Sequence, residues 1–361
     1  MNGILAKIEH WIGLNFILLI FALFIPIAII LELTHADPLW ILLASAAAII
    51  PLAAMIGEGT EALAEKVGER TGGLLNATLG NAAELIIAIV ALRKGLIDLV
   101  LASITGSILG NLLLILGLSL LVGGIKHGYQ KFNRETAGLD ATLLVLAVFT
   151  LAIPSFFNQA LEPDFMRVEF LSIGASIAIL VMYGLVILHS FTSKTIEGDP
   201  QAREAHAPMG WSTRHALLVL VIAVGFIALL SEFLVTAVEP VTESLGLSEF
   251  FLGIILIPLV GNAAEHFVAV QVAAKNKMDL SLSIAIGSSL QIALFIAPLL
   301  VFISLAMGNP MPLEFTTYEI LAVSAASLIA ALVSLDGRSN WLEGAMLLVL
   351  YVILAVAFFF L

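Results

Sequence analysis

A five-residue segment, Gly-Asn-Ala-Ala-Glu, occurs twice in this chain, at residues 80–84 and 261–265, and both copies lie within long apolar runs. When the sequence is aligned with itself at an offset of 181, 14 of the 35 positions in 80–114 and 261–295 are identical. An alanine- and leucine-rich composition would seldom align polar residues by chance, yet the identities include Lys94/Lys275, Asp98/Asp279 and Ser107/Ser288. The chain therefore contains an internal duplication.

The composition identifies a polytopic membrane protein. Of 361 residues, 61% are hydrophobic and 12% are charged, whereas a soluble domain carries about 25% charged residues. The net charge of −12 does not indicate a nucleic-acid partner, because in a membrane chain the distribution of Lys and Arg between loops is more informative. The absence of cysteine excludes disulfides and thiolate metal sites. The first apolar run, Trp11–Leu33, is too long for a signal-peptide core and is expected to be a retained helix.

Eleven apolar runs are long enough to cross a membrane, since a spanning helix needs about 20 apolar residues. They are residues 12–33, 39–64, 72–93, 98–124, 138–157, 168–190, 215–238, 251–274, 279–306, 317–335 and 341–361. The sequence therefore predicts an all-α membrane protein with 11 transmembrane helices.

The duplication divides these spans into one N-terminal helix and two repeats of five. The predicted regions are the N-terminal helix 1–37, the first repeat 38–190, a linker 191–214 and the second repeat 215–361. A unit with an odd number of spans, followed directly by its copy, places the copy upside down, which is the inverted-repeat arrangement of secondary transporters. The polar linker is interpreted as a solvated cytoplasmic hinge, and a regulatory role stays open.

The distribution of basic residues predicts the orientation, because cytoplasmic loops are enriched in Lys and Arg. With eleven spans, twelve of the 15 basic residues fall on the side of the N-terminus. The other three are Arg93, Lys94 and Arg167. The N-terminus is therefore predicted to be cytoplasmic and the C-terminus to lie outside.

Glu84 and Glu265 are the main candidates for a functional site, because each falls near the middle of a predicted span. A charge there costs at least about 3 kcal/mol. A buried Glu can simply be protonated or join helices, but two at equivalent repeat positions favour a shared ion site. An asparagine lies one turn before each carboxylate on the same helix face, and a preceding glycine loosens the helix so that carbonyls can turn toward a ligand. These residues are Gly80, Asn81, Gly261 and Asn262.

A second polar patch lies in the span that follows each of these segments. Ser107 and Asn111 are four residues apart, and Ser288 and Gln291 are three apart, so each pair can face inward together. Hydroxyl and small residues also serve helix packing in membranes, and for the serines both roles stay open. For the amides of Asn111 and Gln291 a place in the ligand shell is favoured.

Glu58 and Glu239 form a further pair at the offset of 181. Each is interpreted either as ordinary interfacial acid near a helix end or as part of a vestibule that concentrates cations by its field. His266 follows Glu265 and replaces the Leu85 of the first repeat. It could tune protonation, although a packed, hydrogen-bonded histidine is the commoner case.

The candidate ligands are almost all oxygens, which suits a hard cation such as Ca²⁺ better than Zn²⁺ or Mg²⁺. The two glutamates carry −2 when ionised and would balance one Ca²⁺. Without the metal, two close carboxylates in a low dielectric cannot both stay ionised, and they would take up protons. The same site could thus carry Ca²⁺ in one direction and protons in the other.

The duplicated GNAAE segments and the GS-containing segments at 106–111 and 287–291 resemble the paired signature repeats of the Ca²⁺/H⁺ antiporters, within the cation/Ca²⁺ exchanger superfamily. The resemblance covers nearly the whole chain and implies that Glu84 and Glu265 are the central ion ligands. It further implies that the first helix slides against the core as a gate. The residues implied to line the same pathway are Asn81, Asn262, Ser107, Ser288 and Gln291.

The resemblance also implies Ca²⁺ as transported substrate, H⁺ as counter-ion, no permanently bound cofactor and no nucleic-acid partner. The partners expected are these ions and the lipid bilayer. Because the N-terminal tail lacks the long extension of plant vacuolar members, a prokaryotic cell membrane is the expected location.

Three other functions compete with Ca²⁺/H⁺ exchange as explanations of these residues. Na⁺/Ca²⁺ exchange is the alternative within transport. An intramembrane aspartyl protease would use an Asp pair near Gly-rich segments, whereas this pair is Glu–Glu in duplicated helices, so no enzyme is expected. A Ca²⁺ channel is disfavoured because a broken-helix site between inverted repeats suits alternating access.

Overall fold

The structure is a computed structural model that describes residues 16–67, 72, 75, 78–161, 165–192 and 210–361. The described part is mostly helical. Residues 1–15 of the predicted N-terminal region and 193–209 of the predicted linker lie outside the described residues.

The first half of the chain contains α1 (Phe16–Ala22), α2 (Phe24–Leu33), α3 (Pro38–Val67), α4 (Ala82–Arg93), α5 (Ile97–Leu109), α6 (Leu116–His127), α7 (Arg134–Leu161) and α8 (Phe165–Thr192). The second half contains α9 (Thr213–Leu245), α10 (Glu249–Phe251), α11 (Ile257–Gly261), α12 (Ala263–Ala274), α13 (Met278–Gln291), α14 (Ala297–Met307), α15 (Thr317–Ser334) and α16 (Trp341–Phe359). Short π-helical segments join α5 to α6 (Gly110–Ile115), α10 to α11 (Leu252–Leu256) and α13 to α14 (Ile292–Ile296).

Eight helices of the described residues are long and apolar enough to cross a membrane, and a ninth span results if the bent pair Glu249–Gly261 and Ala263–Ala274 is counted as one. The first predicted span corresponds to a shorter apolar helix, Leu18–Leu33. The predicted span 72–93 is described in full only from residue 78 onward. The protein is therefore a helical membrane protein, and the predicted count of eleven stays a prediction.

The two halves repeat local conformations at the offset seen in the sequence. α4 and α12 each have 12 residues and begin at Ala82 and Ala263, which are 181 apart. The π-helical segments Gly110–Ile115 and Ile292–Ile296 end at positions separated by the same offset. A π-bulge is a rare feature that often marks a functional site, so its recurrence directs attention to the helices α5–α6 and α13–α14.

The core of the described structure surrounds α5, in which every residue from Leu99 to Leu109 is buried. α3 packs along α9, and α5 packs against the π-helical segment Leu252–Leu256. α8 and α16 instead bury few of their apolar side chains, as expected of helices that face lipid. The polar residues predicted to form the site therefore lie at the centre and the most apolar surface lies outside.

The all-α prediction missed one small feature. Gln130 and Lys131 form a two-residue strand, β1, that pairs antiparallel with β2, formed by Arg338 and Ser339. These segments are too short and too polar for hydropathy to detect, and they join the loop after α6 to the loop before α16.

Candidate ion-binding site

α12 begins at a sharp break in the helix. The helical stretches Glu249–Gly261 and Ala263–Ala274 meet at 61°. Pro258 removes a backbone donor just after the π-helical segment, and Asn262 at the break has φ −91° and ψ 2°. Asn81, at the start of α4, has φ −94° and ψ 24°. Both asparagines thus occupy the sparsely populated bridge region, where active-site residues are often found.

Glu84 belongs to the first half but contacts the duplicated segment of the second half. A Cβ atom built on Gly261 would lie 2.9 Å from Glu84 Cγ and 3.0 Å from its Oε1. The side chain is 9% exposed, and its Oε2 atom has no hydrogen-bond partner in the described part of the chain. Because a buried carboxylate oxygen without a partner is costly, this atom is a candidate ligand for a cation.

Glu265 is half-buried and accepts a short hydrogen bond from Ser288 Oγ. The side chain of Glu84 lies over Gly261, one turn before Glu265. The carboxylates of the two duplicated segments are thus brought into one region of the membrane core. Gly80, the counterpart of Gly261, lies in the turn that precedes α4.

The two asparagines use their amide nitrogens in bonds to protein. Asn81 Nδ2 donates to Gln291 Oε1 at 2.6 Å. Asn262 Nδ2 donates to Ser107 Oγ at 3.2 Å and to the Pro258 carbonyl at 3.1 Å. Both side chains are buried, and neither Oδ1 atom has a hydrogen-bond partner among the described residues. The amide oxygens, which are the metal-binding ends of these side chains, are therefore left free to bind a cation.

Asn111 is buried, and its Oδ1 lies 3.0 Å from His266 Nε2. Its Nδ2 has no partner within the described structure. The amide that was predicted to belong to the ligand shell is thus engaged by His266, which agrees with the interpretation of that histidine as a packed, hydrogen-bonded residue. Ser107 and Asn111 both contact α12, through Asn262 and His266, so in this arrangement they hold that helix against the helix pair α5–α6.

The outer pair predicted as a vestibule has unequal surroundings. Glu58 is half-buried within α3, and Glu239 is exposed near the end of α9. Glu239 has an acidic neighbour in Glu249, which also interacts with Asp98. The role of Glu58 and Glu239 as a vestibule stays a prediction.

Sequence reasoning missed a further buried carboxylate, Glu319, which is 3% exposed. Thr105 Oγ1 donates to Glu319 Oε1 at 2.9 Å, and Glu319 Oε2 accepts from the Thr316 backbone at 2.8 Å. Thr316 and Glu319 form a capping box at the start of α15. The spacing Thr-x-x-Glu is a readable sign of a helix start, but it does not reveal the contact with Thr105.

An ion pair that the sequence did not suggest joins the end of α4 to α9. Arg93 forms a short contact with Glu232, and Lys94 Nζ lies 2.8 Å from the other Glu232 oxygen. Lys94 Nζ also donates to Thr236 Oγ1 at 2.7 Å. Two of the three basic residues predicted to lie outside are thus paired with this acid, in a partly exposed position.

Within the described ranges, no group of three or more His, Cys, Asp and Glu side chains could hold a metal ion. A cation at the candidate site would therefore have two carboxylates and neutral oxygens as ligands. Carboxylate and amide oxygens without nitrogen or sulfur favour a hard cation such as Ca²⁺. Among these oxygens, Glu84 Oε2, Asn81 Oδ1 and Asn262 Oδ1 have no hydrogen-bond partner in the described structure, whereas Gln291 Oε1 accepts from Asn81.

Buried, charge-bearing residues at a helix break in the membrane core are typical of ion transporters. The chain matches the family described as sodium/calcium exchanger protein over residues 38–192 and 215–360. It belongs to that family.

The chain is similar to several named transporters over most of its length. It is 45% identical to the Ca²⁺/H⁺ antiporter of Aphanothece halophytica, covering 94% of this chain and 95% of the relative. It is 43% identical to the Ca²⁺/H⁺ antiporter ChaA of Bacillus subtilis, covering 93% and 97%. The structure of native YfkE superposes with a TM-score of 0.84 at 42% identity, covering 95% of this chain and all of that one.

A more distant structure supports the fold alone. The crystal structure of the H⁺/Ca²⁺ exchanger CAX matches with a TM-score of 0.75 at 16% identity, covering 96% of this chain and 92% of that one.

Proposed function

We propose that this protein exchanges Ca²⁺ for H⁺ across a membrane, as a secondary active antiporter. The observation that carries the proposal is the buried Glu84 Oε2 atom, which lacks a partner in the described structure and belongs to a carboxylate that contacts the segment of Glu265. The names of the similar Ca²⁺/H⁺ antiporters support the same substrate and counter-ion.

Charge balance explains how one site serves both ions. Two ionised glutamates neutralise one Ca²⁺ at a depth where an unbalanced charge is costly. When Ca²⁺ leaves, Glu84 and Glu265 would repel each other in a low dielectric, and proton uptake removes that repulsion. The unpartnered oxygens of Asn81 and Asn262 would complete the shell of the metal, whereas protons need no such coordination. Occupancy by Ca²⁺ and by protons would therefore be mutually exclusive.

Alternating access is the proposed transport mechanism. We infer an N-terminal helix and two inverted five-helix repeats, eleven spans in all, with the first helix, 1–37, sliding as a gate. The matching bounds of α4 and α12 support the repeat. The matched family segments, 38–192 and 215–360, are separated near the proposed linker 191–214, which supports these domain boundaries.

We further infer transport rather than catalysis, a cytoplasmic N-terminus, an outside C-terminus and a prokaryotic cell membrane as the location. The 12:3 division of basic residues supports the orientation. The bacterial transporters among the relatives support the location.

The test is Ca²⁺ uptake by purified protein in proteoliposomes under an imposed pH gradient. Wild type should accumulate Ca²⁺, whereas Glu84→Gln and Glu265→Gln should each abolish uptake, because Gln keeps the volume and an oxygen but removes the balancing charge. Asn81→Ala and Gln291→Ala should be milder, with a larger effect on affinity than on maximal rate. Near wild-type uptake by either glutamine variant would refute the shared site. Complete loss in all four variants would point to a folding defect, which gel filtration detects.

A further inference from the structure

α4 and α12 have similar contacts at the ends opposite their glutamates. Asn309 Nδ2 donates to the Leu92 carbonyl at 3.0 Å. Gln130 Nε2 donates to the Ala273 carbonyl, also at 3.0 Å. Leu92 and Ala273 are equivalent at the offset of 181, but Asn309 and Gln130 are not, since position 309 corresponds to Gly128. Two side chains that are not equivalent at this offset therefore make the same kind of contact with the carboxyl ends of α4 and α12.

Each donor comes from the half opposite to the helix that it contacts. The helix pair α13–α14 carries Gln291, which accepts a hydrogen bond from Asn81 at the start of α4. Asn309 follows this pair and donates to the Leu92 carbonyl near the end of α4. The pair α5–α6 has the same relationship to α12. It carries Ser107, which accepts a hydrogen bond from Asn262 at the start of α12. Gln130 follows this pair and donates to the Ala273 carbonyl near the end of α12. Each glutamate-bearing helix is thus held at both ends by one helix pair of the other half.

The contact at the end of α12 is the more elaborate of the two. Gln130 is 1% exposed, and its Nε2 also donates to Asn276 Oδ1 at 3.0 Å. Asn276 has a φ of 62°, whereas its counterpart is Gly95, with φ 78°. A non-glycine residue in the left-handed region is uncommon, and here its side chain provides the contact with Gln130. His127 Nε2 lies 2.9 Å from the next carbonyl, that of Ala274.

Free carbonyls at the end of a helix need donors, so stabilisation of the fold is one role for these amides. Their placement allows a second role. A 12-residue helix is roughly 18 Å long and moves largely as a rigid body, so a shift at its carboxyl end displaces the glutamate at its amino end. The same helix pair contacts both ends of each helix. The donor at the carboxyl end, Asn309 for α4 and Gln130 for α12, would therefore set how the glutamate aligns with the polar residues of that pair.

We propose that Gln130 and Asn309 are positioning residues that set the axial placement of Glu265 and Glu84, and thereby the affinity for Ca²⁺. This inference rests on the proposed antiport function and deepens it. Neither residue touches the ion; each acts through the helix that it caps. A purely structural cap would affect stability alone, whereas a positioning residue affects the Ca²⁺ concentration that half-saturates transport.

The experiment compares variants that remove the donor but keep the volume, Asn309→Leu and Gln130→Met. Ca²⁺ uptake is measured in proteoliposomes over a range of Ca²⁺ concentrations, and the melting temperature of each purified variant is measured in parallel. The matched control is Asn340→Leu. Asn340 Oδ1 accepts from the backbone N–H groups of Leu342 and Glu343 at the start of α16. Asn340→Leu therefore removes a cap from a helix that carries neither Glu84 nor Glu265.

Each donor variant should raise the KM for Ca²⁺ by up to about fivefold, the equivalent of one net hydrogen bond, with a maximal rate close to wild type. The control should lose stability with an unchanged KM. Where Gln130→Met does not fold, Asn309→Ser provides the test, because serine is too short to reach Leu92 and should raise the KM similarly. An unchanged KM in a folded Asn309 variant would overturn the inference. Failure of wild type to transport Ca²⁺ would instead overturn the proposed function.

Discussion

The side chain of Glu84 lies against the backbone of Gly261, the first residue of the duplicate of its own segment. Space rather than a left-handed φ is what requires glycine here, since Gly261 is not among the residues with positive φ. A Cβ atom would come within 2.9 Å of Glu84 Cγ and 3.0 Å of Cδ. The two duplicated segments therefore interlock: one supplies the carboxylate and the other supplies the gap that admits it.

Gly261→Ala should impair Ca²⁺ binding while the protein stays folded. The added methyl group must displace the Glu84 carboxylate, and overpacking of this kind costs about 1–3 kcal/mol. Since about 1.4 kcal/mol corresponds to a tenfold change, we expect the KM for Ca²⁺ to rise by about fivefold to about a hundredfold. Concentration-dependent uptake in proteoliposomes measures this change.

Gly174→Ala is the matched control for that substitution. Gly174 lies in α8, and nothing stands within 4 Å of a Cβ atom built on it. Uptake by this variant should equal that of wild type. Equal KM values for Gly261→Ala and wild type would contradict the proposed closeness of Glu84 to this backbone.

Ser288→Ala should weaken Ca²⁺ binding through Glu265, because Ser288 Oγ donates a short hydrogen bond to that carboxylate. Hydrogen bonds to charged groups contribute about 1.5–3 kcal/mol, so an increase in KM of about tenfold or more is expected. The neighbouring Ser289 offers a close control. It is also buried, but its hydroxyl donates to the Ala285 carbonyl of its own helix at 3.0 Å. Ser289→Ala should leave the KM unchanged, and equal effects of the two variants would argue against a specific role for Ser288.

The sequence was sufficient to predict most helices to within a few residues, because each span is a long apolar run bounded by polar loops. The predicted spans 279–306 and 317–335 correspond to the helical stretch 278–307 and to α15 (Thr317–Ser334). It was also sufficient to single out Glu84 and Glu265, because a duplicated carboxylate in an apolar run has few structural explanations.

Contacts between the halves could not be predicted, because they depend on how helices cross. The spacing of Ser107 and Asn111 predicted a shared face, but it gave no indication that Asn262 and His266 would be their partners. The π-helical segment that starts at Gly110 also changes the helical period just before Asn111. For the same reason, no pattern indicated the bond between Thr105 and Glu319.

The proposed topology predicts where reporters fused to the chain will appear. With eleven spans and a cytoplasmic N-terminus, a reporter fused after Leu361 should be outside and one inserted near Gly198 should be inside. Paired reporters that are active only on opposite sides of the membrane measure this. Both positions on one side would contradict the span count, the inverted repeat and the charge-bias argument together.

The last prediction concerns the coupling ion. A site that binds several Na⁺ ions in place of Ca²⁺ must offer additional ionised or strongly polar oxygens, and Na⁺/Ca²⁺ exchangers typically have GSN followed by an Asp in the second patch. This chain instead has Gly-Ser-Ser-Leu-Gln at 287–291 and Gly-Ser-Ile-Leu-Gly-Asn at 106–111, neither with a carboxylate. Protonation of Glu84 and Glu265 neutralises the site without further ligands, so we expect at least two H⁺ to move per Ca²⁺.

The deciding measurement is Ca²⁺ uptake into proteoliposomes under a pH gradient without Na⁺, and then under a Na⁺ gradient with the pH clamped on both sides. The first condition should support uptake that a protonophore collapses, and the second should not. Uptake driven by Na⁺ alone would require oxygen ligands other than those of Glu84, Glu265, Asn81 and Asn262, and it would overturn the assignment of H⁺ as the counter-ion.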